Sequence, residues 1–82
     1  MSDQDKRNAD TPLRWLAMSI VASPPEKRGV QYLRVRSYMA ASLERFGMKG
    51  QEAKARLVAN MDRIRRFVRE IEAITAQEAS AA

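Results

Sequence analysis

Five apolar residues in the last third of the chain, Leu57, Met61, Ile64, Val68 and Ile71, advance by four, three, four and three. At 3.6 residues per turn this keeps all five on one narrow seam of a helix, the spacing of a coiled coil sustained for about two heptads. A strand would throw them alternately to opposite faces. Phe67 and Ile74 widen the stripe, which predicts packing partners on both sides of the helix. This helix is expected over roughly 51–76, with "AQEASAA" fraying at its end.

Glycine and proline divide what precedes it. Gly47 suits the left-handed C′ position that ends a helix at Phe46, with Met48 folding back on the last turn, and Gly50 closes a short loop. The second helix is expected to start around "SPPE", residues 23–26. Pro25 restricts its predecessor and stops the first helix. Ser23 and Glu26 have the spacing of a capping box. Gly29 weakens the first turn by about 1 kcal/mol relative to alanine, so firm helix is expected from Val30.

The first helix is expected from Thr11, an N-cap oxygen, with Pro12 at the first helical position. Its body, "LRWLAMSIVA", is apolar almost all round, with Arg14 and Ser19 as its polar side chains. A short helix without a polar side is either central in its domain or docked on another chain. The opening "MSDQDKRNAD" has no apolar periodicity and reads as a tail. Val30 and Val35 stand among good helix formers, so no strand is expected.

The expected fold is therefore all-α: a three-helix domain over 11–76, with helices 2 and 3 as an antiparallel hairpin and a short apolar helix 1 packed across it. A disordered tail (1–10) and a frayed one (77–82) flank it. A chain of 82 residues buries only about 60 to 65% of its unfolded surface. Its 23 large apolar residues, from Leu13 to Ile74, make a modest core. Self-association as a homodimer would bury more.

Catalysis is hard to build from these residues. There is no cysteine and no histidine, so thiolate chemistry and the commonest neutral-pH base and metal ligand are missing. No serine stands at a spacing that suggests a Ser-Lys pair. The carboxylates are spread among arginines; Glu52 with Arg56, Asp62 with Arg66 and Arg66 with Glu70 have i,i+4 spacing, each pair contributing about 0.2 to 0.5 kcal/mol. No acidic cluster has metal-ligand spacing, and the three glycines fit no phosphate-loop fingerprint. The expectation is a non-enzyme with no cofactor and no metal. The longest apolar run, residues 15–22, falls short of the roughly 20 residues a bilayer requires. Asp3, Asp5 and Asp10 spoil a basic secretory leader. The expected address is the cytoplasm.

Charge is the remaining signal. Residues 1–26 carry a formal −1, residues 27–70 carry +8 and residues 71–82 carry −2. Such a surplus in the middle segment points to an anionic partner. On helix 2, Lys27, Gln31, Arg34, Tyr38 and Arg45 fall within a sector of about 60°. Cations, an amide and a phenol together suit phosphate contact with some reach to bases. Arg28 adjoins this face, and Arg63 and Arg66 extend it if the hairpin sets them alongside. On helix 3, Arg65, Arg66 and Arg69 spread over the far side of the seam, the pattern of a solvated back.

Two functions follow. The first is a small DNA- or RNA-associated regulator, of transcription for instance, that lays Lys27, Arg28, Gln31, Arg34, Tyr38, Arg45, Arg63 and Arg66 against phosphate. Helix 1, "SPPEKRG" and helix 2 loosely resemble a helix-turn-helix with an enlarged turn, the usual turn being three to four residues. The second is a protein-binding adaptor, antiactivator or inhibitor of the kind mobile elements and phages encode. It would place Trp15 of helix 1, or the Leu57, Met61, Ile64, Val68 and Ile71 seam, in a partner's groove, with the basic face steering it to an acidic surface. Trp15 is expected in the core or as an interface anchor. Tyr32 is expected between helices. A membrane-surface helix is disfavoured because helix 1 has no basic face of its own.

Overall fold

A computed structural model describes the backbone of residues 3–81 and the side chains of residues 10–80. Among the described residues there are three α-helices and no strand: α1 (Asp3–Ala22), α2 (Arg28–Arg45) and α3 (Gly50–Ala81). A 3-10 turn, Pro25–Lys27, leads into α2. α1 packs chiefly on α3, and α2 touches both.

The core follows the expected seam. Met61, Ile64 and Val68 are buried, and Leu57 and Ile71 are half-buried against them. Phe67 widens the stripe as its spacing required, buried beneath the Arg14 guanidinium, whose carbon stands 4.4 Å from the ring centroid. Ile74 does not; it faces solvent. Facing the seam are Leu13, Ala17 and Ile20 of α1, again spaced four and three, with Val35 and Met39 of α2. Ala17 is fully enclosed, and its small side chain lets the helices approach closely at that point. Tyr32 packs on this cluster, with Arg65 over its ring.

Gly47 ends α2 as its sequence position predicts. Its φ is +83°. The Gly47 N–H donates to the Glu44 carbonyl and the Met48 N–H to the Leu43 carbonyl, at 2.9 and 3.0 Å. This is the paired bonding of a Schellman motif, which satisfies carbonyls the helix leaves unpaired.

Local expectations differ from the structure at several element ends. α1 begins at Asp3 rather than Thr11, so Pro12 lies inside it. An interior proline removes the donor for the carbonyl four residues back, at a cost of about 3 kcal/mol. The turn is held from outside instead, because half-buried Asp10 accepts a hydrogen bond from the Arg63 guanidinium. Met1 and Ser2 of the expected tail, and Ala82 at the other end, lie outside the described residues. α3 continues to Ala81, since its alanine-rich end favours helix and contains no glycine or proline to stop it.

The expected capping box also fails to form. The Ser23 hydroxyl donates to the Ser19 carbonyl at 2.9 Å, and the Ser23 N–H donates to Ile20. Ser23 thus closes α1, while α2 has Lys27 at its N-cap and no side-chain cap. The physical reason is the intervening Pro24-Pro25 pair: the 3-10 turn it initiates delays α2 to Arg28 and leaves Ser23 nearest the orphan carbonyls of α1. On α3, Asp62 pairs with Arg65 at 3.3 Å rather than with Arg66, the i,i+3 reach being as short as i,i+4 on a helix.

α3, with 32 residues, runs about 48 Å, which matches the longest dimension of the molecule, 48 Å, and its last turns stand exposed beyond the core. The radius of gyration is 14.4 Å, against about 12 Å for a compact chain of this length. The accessible surface is 6399 Å², roughly 1,400 Å² more than a compact monomer of this mass exposes.

Candidate nucleic-acid interface

α2 presents the expected cations on one edge. Lys27, Arg34 and Arg45 are exposed, and none of them makes an ion pair among the described residues. Between the last two stands Tyr38, 57% exposed. From Lys27 to Arg45 the edge runs about 27 Å at 1.5 Å per residue. Lys27, Gln31 and Arg34 line one hollow of about 290 Å³ with Ser23, Pro24 and Val30, where α1 turns into α2. The first turn of α2 opens on the same hollow. It has no side-chain cap, and the 3-10 turn before it supplies backbone acceptors instead, the Lys27 N–H donating to the Pro24 carbonyl and the Arg28 N–H to the Pro25 carbonyl.

Gln31 is held in that hollow by a relay. Its Nε2 donates to Ser19 Oγ at 3.2 Å, and Ser19 Oγ donates to the Leu16 carbonyl at 2.6 Å. The amide is therefore half-buried and committed to α1 rather than turned outward.

Three other candidates are placed differently. Arg28 faces inward, with Nη1 bonded to Glu72 Oε1 and Nε buried without a partner. The Arg63 guanidinium is bonded to Asp10. Arg66 is exposed and makes no ion pair among the described residues, but it borders a separate hollow with Asp10, Arg63, Phe67 and Glu70. Arg28 and Arg63 each meet an acid that lies far away in the chain, which spacing along one helix does not reveal.

The residues expected at a protein interface also divide. Met61, Ile64 and Val68 are spent on the core of this chain. Trp15, expected in the core or anchoring an interface, is 67% exposed. It shares the outward side of α1 with Met18, opposite Leu13, Ala17 and Ile20. The core selects that stripe because Ala17 permits close helix contact where a tryptophan would hold the helices apart.

Sequence reading missed one feature. A groove of about 530 Å³ opens where α1, the C-terminal half of α2 and the first turns of α3 meet. Leu13, Leu16, Met39 and Leu43 line it, Phe46 stands at its edge, and one wall holds Arg56, without an ion pair among the described residues, and the Asp10-bonded Arg63. Phe46 is 86% exposed. The available signal was a large aromatic placed immediately before Gly47, beyond the reach of the core seam.

Among the described residues no group of acidic side chains could hold a metal ion, and no helix is long and apolar enough to cross a membrane. Comparison with protein-family models, curated proteins and solved structures finds no match to this chain.

Proposed function

We propose that this protein is a small, non-enzymatic, cytoplasmic regulator associated with DNA or RNA, holding phosphate backbone along the Lys27, Arg34 and Arg45 edge of α2. The observation that carries the reading is the set of three exposed cations without a carboxylate partner, two of which share a hollow with Gln31. In this reading α2 and α3 form the antiparallel hairpin. Arg28 at the start of α2 meets Glu72 late in α3, and Phe46 after α2 shares a groove with Arg56 early in α3. A phosphate in the hollow lies between Lys27 and Arg34 at the N-terminus of α2. Tyr38 is the side chain on this edge able to reach or stack on a base.

Affinity then arises chiefly from counterion release. Three phosphate contacts give a slope of about −2.7 for log affinity against log salt, at about −0.9 per contact on duplex DNA. The test is a salt titration of binding to unrelated nucleic-acid sequences, repeated with Arg34→Glu combined with Arg45→Glu. The double variant is expected to lose binding with its helicity intact. Unchanged affinity, or a wild-type affinity indifferent to salt, overturns the reading.

A further inference from the structure

The groove between α1, α2 and α3 is separate from the phosphate hollow, and its chemistry is different. We infer that it docks an amphipathic helical segment of a protein partner, one that presents large apolar side chains flanked by carboxylates. The inference stands independently of the α2 reading.

Several observations carry it. The walls are aliphatic, with Leu13, Leu16, Met39 and Leu43, and Phe46 projects beside them almost wholly in solvent. An exposed aromatic next to an apolar cleft gains most by being covered. Met39 and Met48 line it as well, and unbranched thioether chains adjust to more than one apolar shape.

Charge selects the class of occupant. No carboxylate lines the groove, whereas Arg56 and Arg63 do; Arg63 is already bonded to Asp10, so Arg56 is the cation of this wall open to a partner. Arg56 is exposed and has no ion pair among the described residues. A segment with acids beside its apolar anchors pairs with this wall, and the field of a +5 chain steers it there. A second copy brings the same +5 and is repelled. Nucleic acid would leave the aliphatic walls without apolar partners.

The helix-in-groove mode reads anchors at i, i+3 or i+4, and i+7, which defines the probe: a synthetic helical peptide with leucine and phenylalanine at those positions and glutamate elsewhere. A matched peptide carries lysine in place of glutamate. Isothermal titration is expected to give saturable one-to-one binding of the glutamate peptide, about tenfold or more tighter than the lysine peptide. Phe46→Ala and Arg56→Glu, both at exposed positions, are each expected to weaken it by about tenfold with circular dichroism unchanged. Lys27→Glu with Arg34→Glu is expected to leave it intact while reducing nucleic-acid binding, so failure here is distinguishable from failure of the α2 reading. Equal affinity for the two peptides, indifference to Phe46→Ala and Arg56→Glu, or no saturation overturns the inference. So does sedimentation as a dimer that Phe46→Ala dissociates, which assigns the groove to a second copy. Displacement of the peptide by DNA from the Lys27→Glu, Arg34→Glu variant overturns it too, by assigning the groove to nucleic acid.

Discussion

Ile64 and Ile74 belong to the same apolar stripe of α3, yet the structure gives them opposite environments: Ile64 is fully buried and Ile74 is 55% exposed. Replacing each by alanine removes the same atoms, so the difference in stability isolates position. Ile64 belongs to the core cluster with Leu13, Ile20, Val35 and Met39 from the other helices. Its truncation loses the transfer free energy and leaves a cavity, about 2–5 kcal/mol together. A domain of this size has a total stability on the order of 4–12 kcal/mol, so the loss is a large fraction of the whole. At Ile74 more than half of the side chain already meets water. The loss there is about 1 kcal/mol or less, and the higher helix propensity of alanine offsets a few tenths of it. At about 4–8 °C per kcal/mol, Ile64→Ala is expected to lower Tm by about 8 °C or more and Ile74→Ala by about 6 °C at most. Urea titration followed by circular dichroism, with m held constant between variants, checks both. Measuring at two protein concentrations separates an effect of self-association. Similar midpoints for the two variants, or a larger loss at Ile74, would refute the rotation of α3 on which the groove lined by Arg56 and Arg63 rests.

Further outcomes test the ends of α2 and the outer face of α1. Gly47→Ala is expected to destabilise by about 1–2 kcal/mol, because alanine at φ +83° occupies a left-handed conformation, whereas Gly29→Ala inside α2 meets no neighbouring atom and is expected to stabilise by up to about 1 kcal/mol; denaturant midpoints report both. Trp15 is expected to fluoresce as a solvated indole, accessible to acrylamide before unfolding, and a blue-shifted, protected emission in dilute protein contradicts its outward placement.

What could be read from the sequence was whatever local geometry decides. The seam Leu57, Met61, Ile64, Val68 and Ile71 fixes its own face by spacing, and Gly47 marks a helix end because only a positive φ permits the Schellman bonds seen there. Choices among nonlocal partners were not legible. α1 is apolar on nearly every side, and bulk favours Trp15 as core, yet Ala17 decides which stripe turns inward. The Ser23 hydroxyl has a helix on each side of it, and the chain sends it backward to Ser19. For the candidate site, the Lys27, Arg34, Tyr38 and Arg45 edge was legible from a 100° wheel. The diversion of Gln31 to Ser19, twelve residues away, was not. Nor were the attachments of Arg28 and Arg63, whose partners lie 44 and 53 residues away.

Those two long attachments explain how a surplus of cations coexists with a thin core. The segment 27–70 carries +8, while acids prevail in the segments before and after it. Asp10 comes from the first of these and ties α1 to Arg63 of α3; Glu72 comes from the last and ties α3 to Arg28 of α2. Half-exposed pairs like these contribute little energy, about 1 kcal/mol or less each. They lie beside the apolar core that sets which helix faces meet. Each pairing also withdraws a guanidinium from solvent and leaves the rest of the surplus unopposed. On α2 the cations left exposed include Lys27, Arg34 and Arg45, along the edge where no carboxylate lines the adjoining hollow. On the proposed reading, this edge is where an anionic partner meets little competition from the protein's own acids.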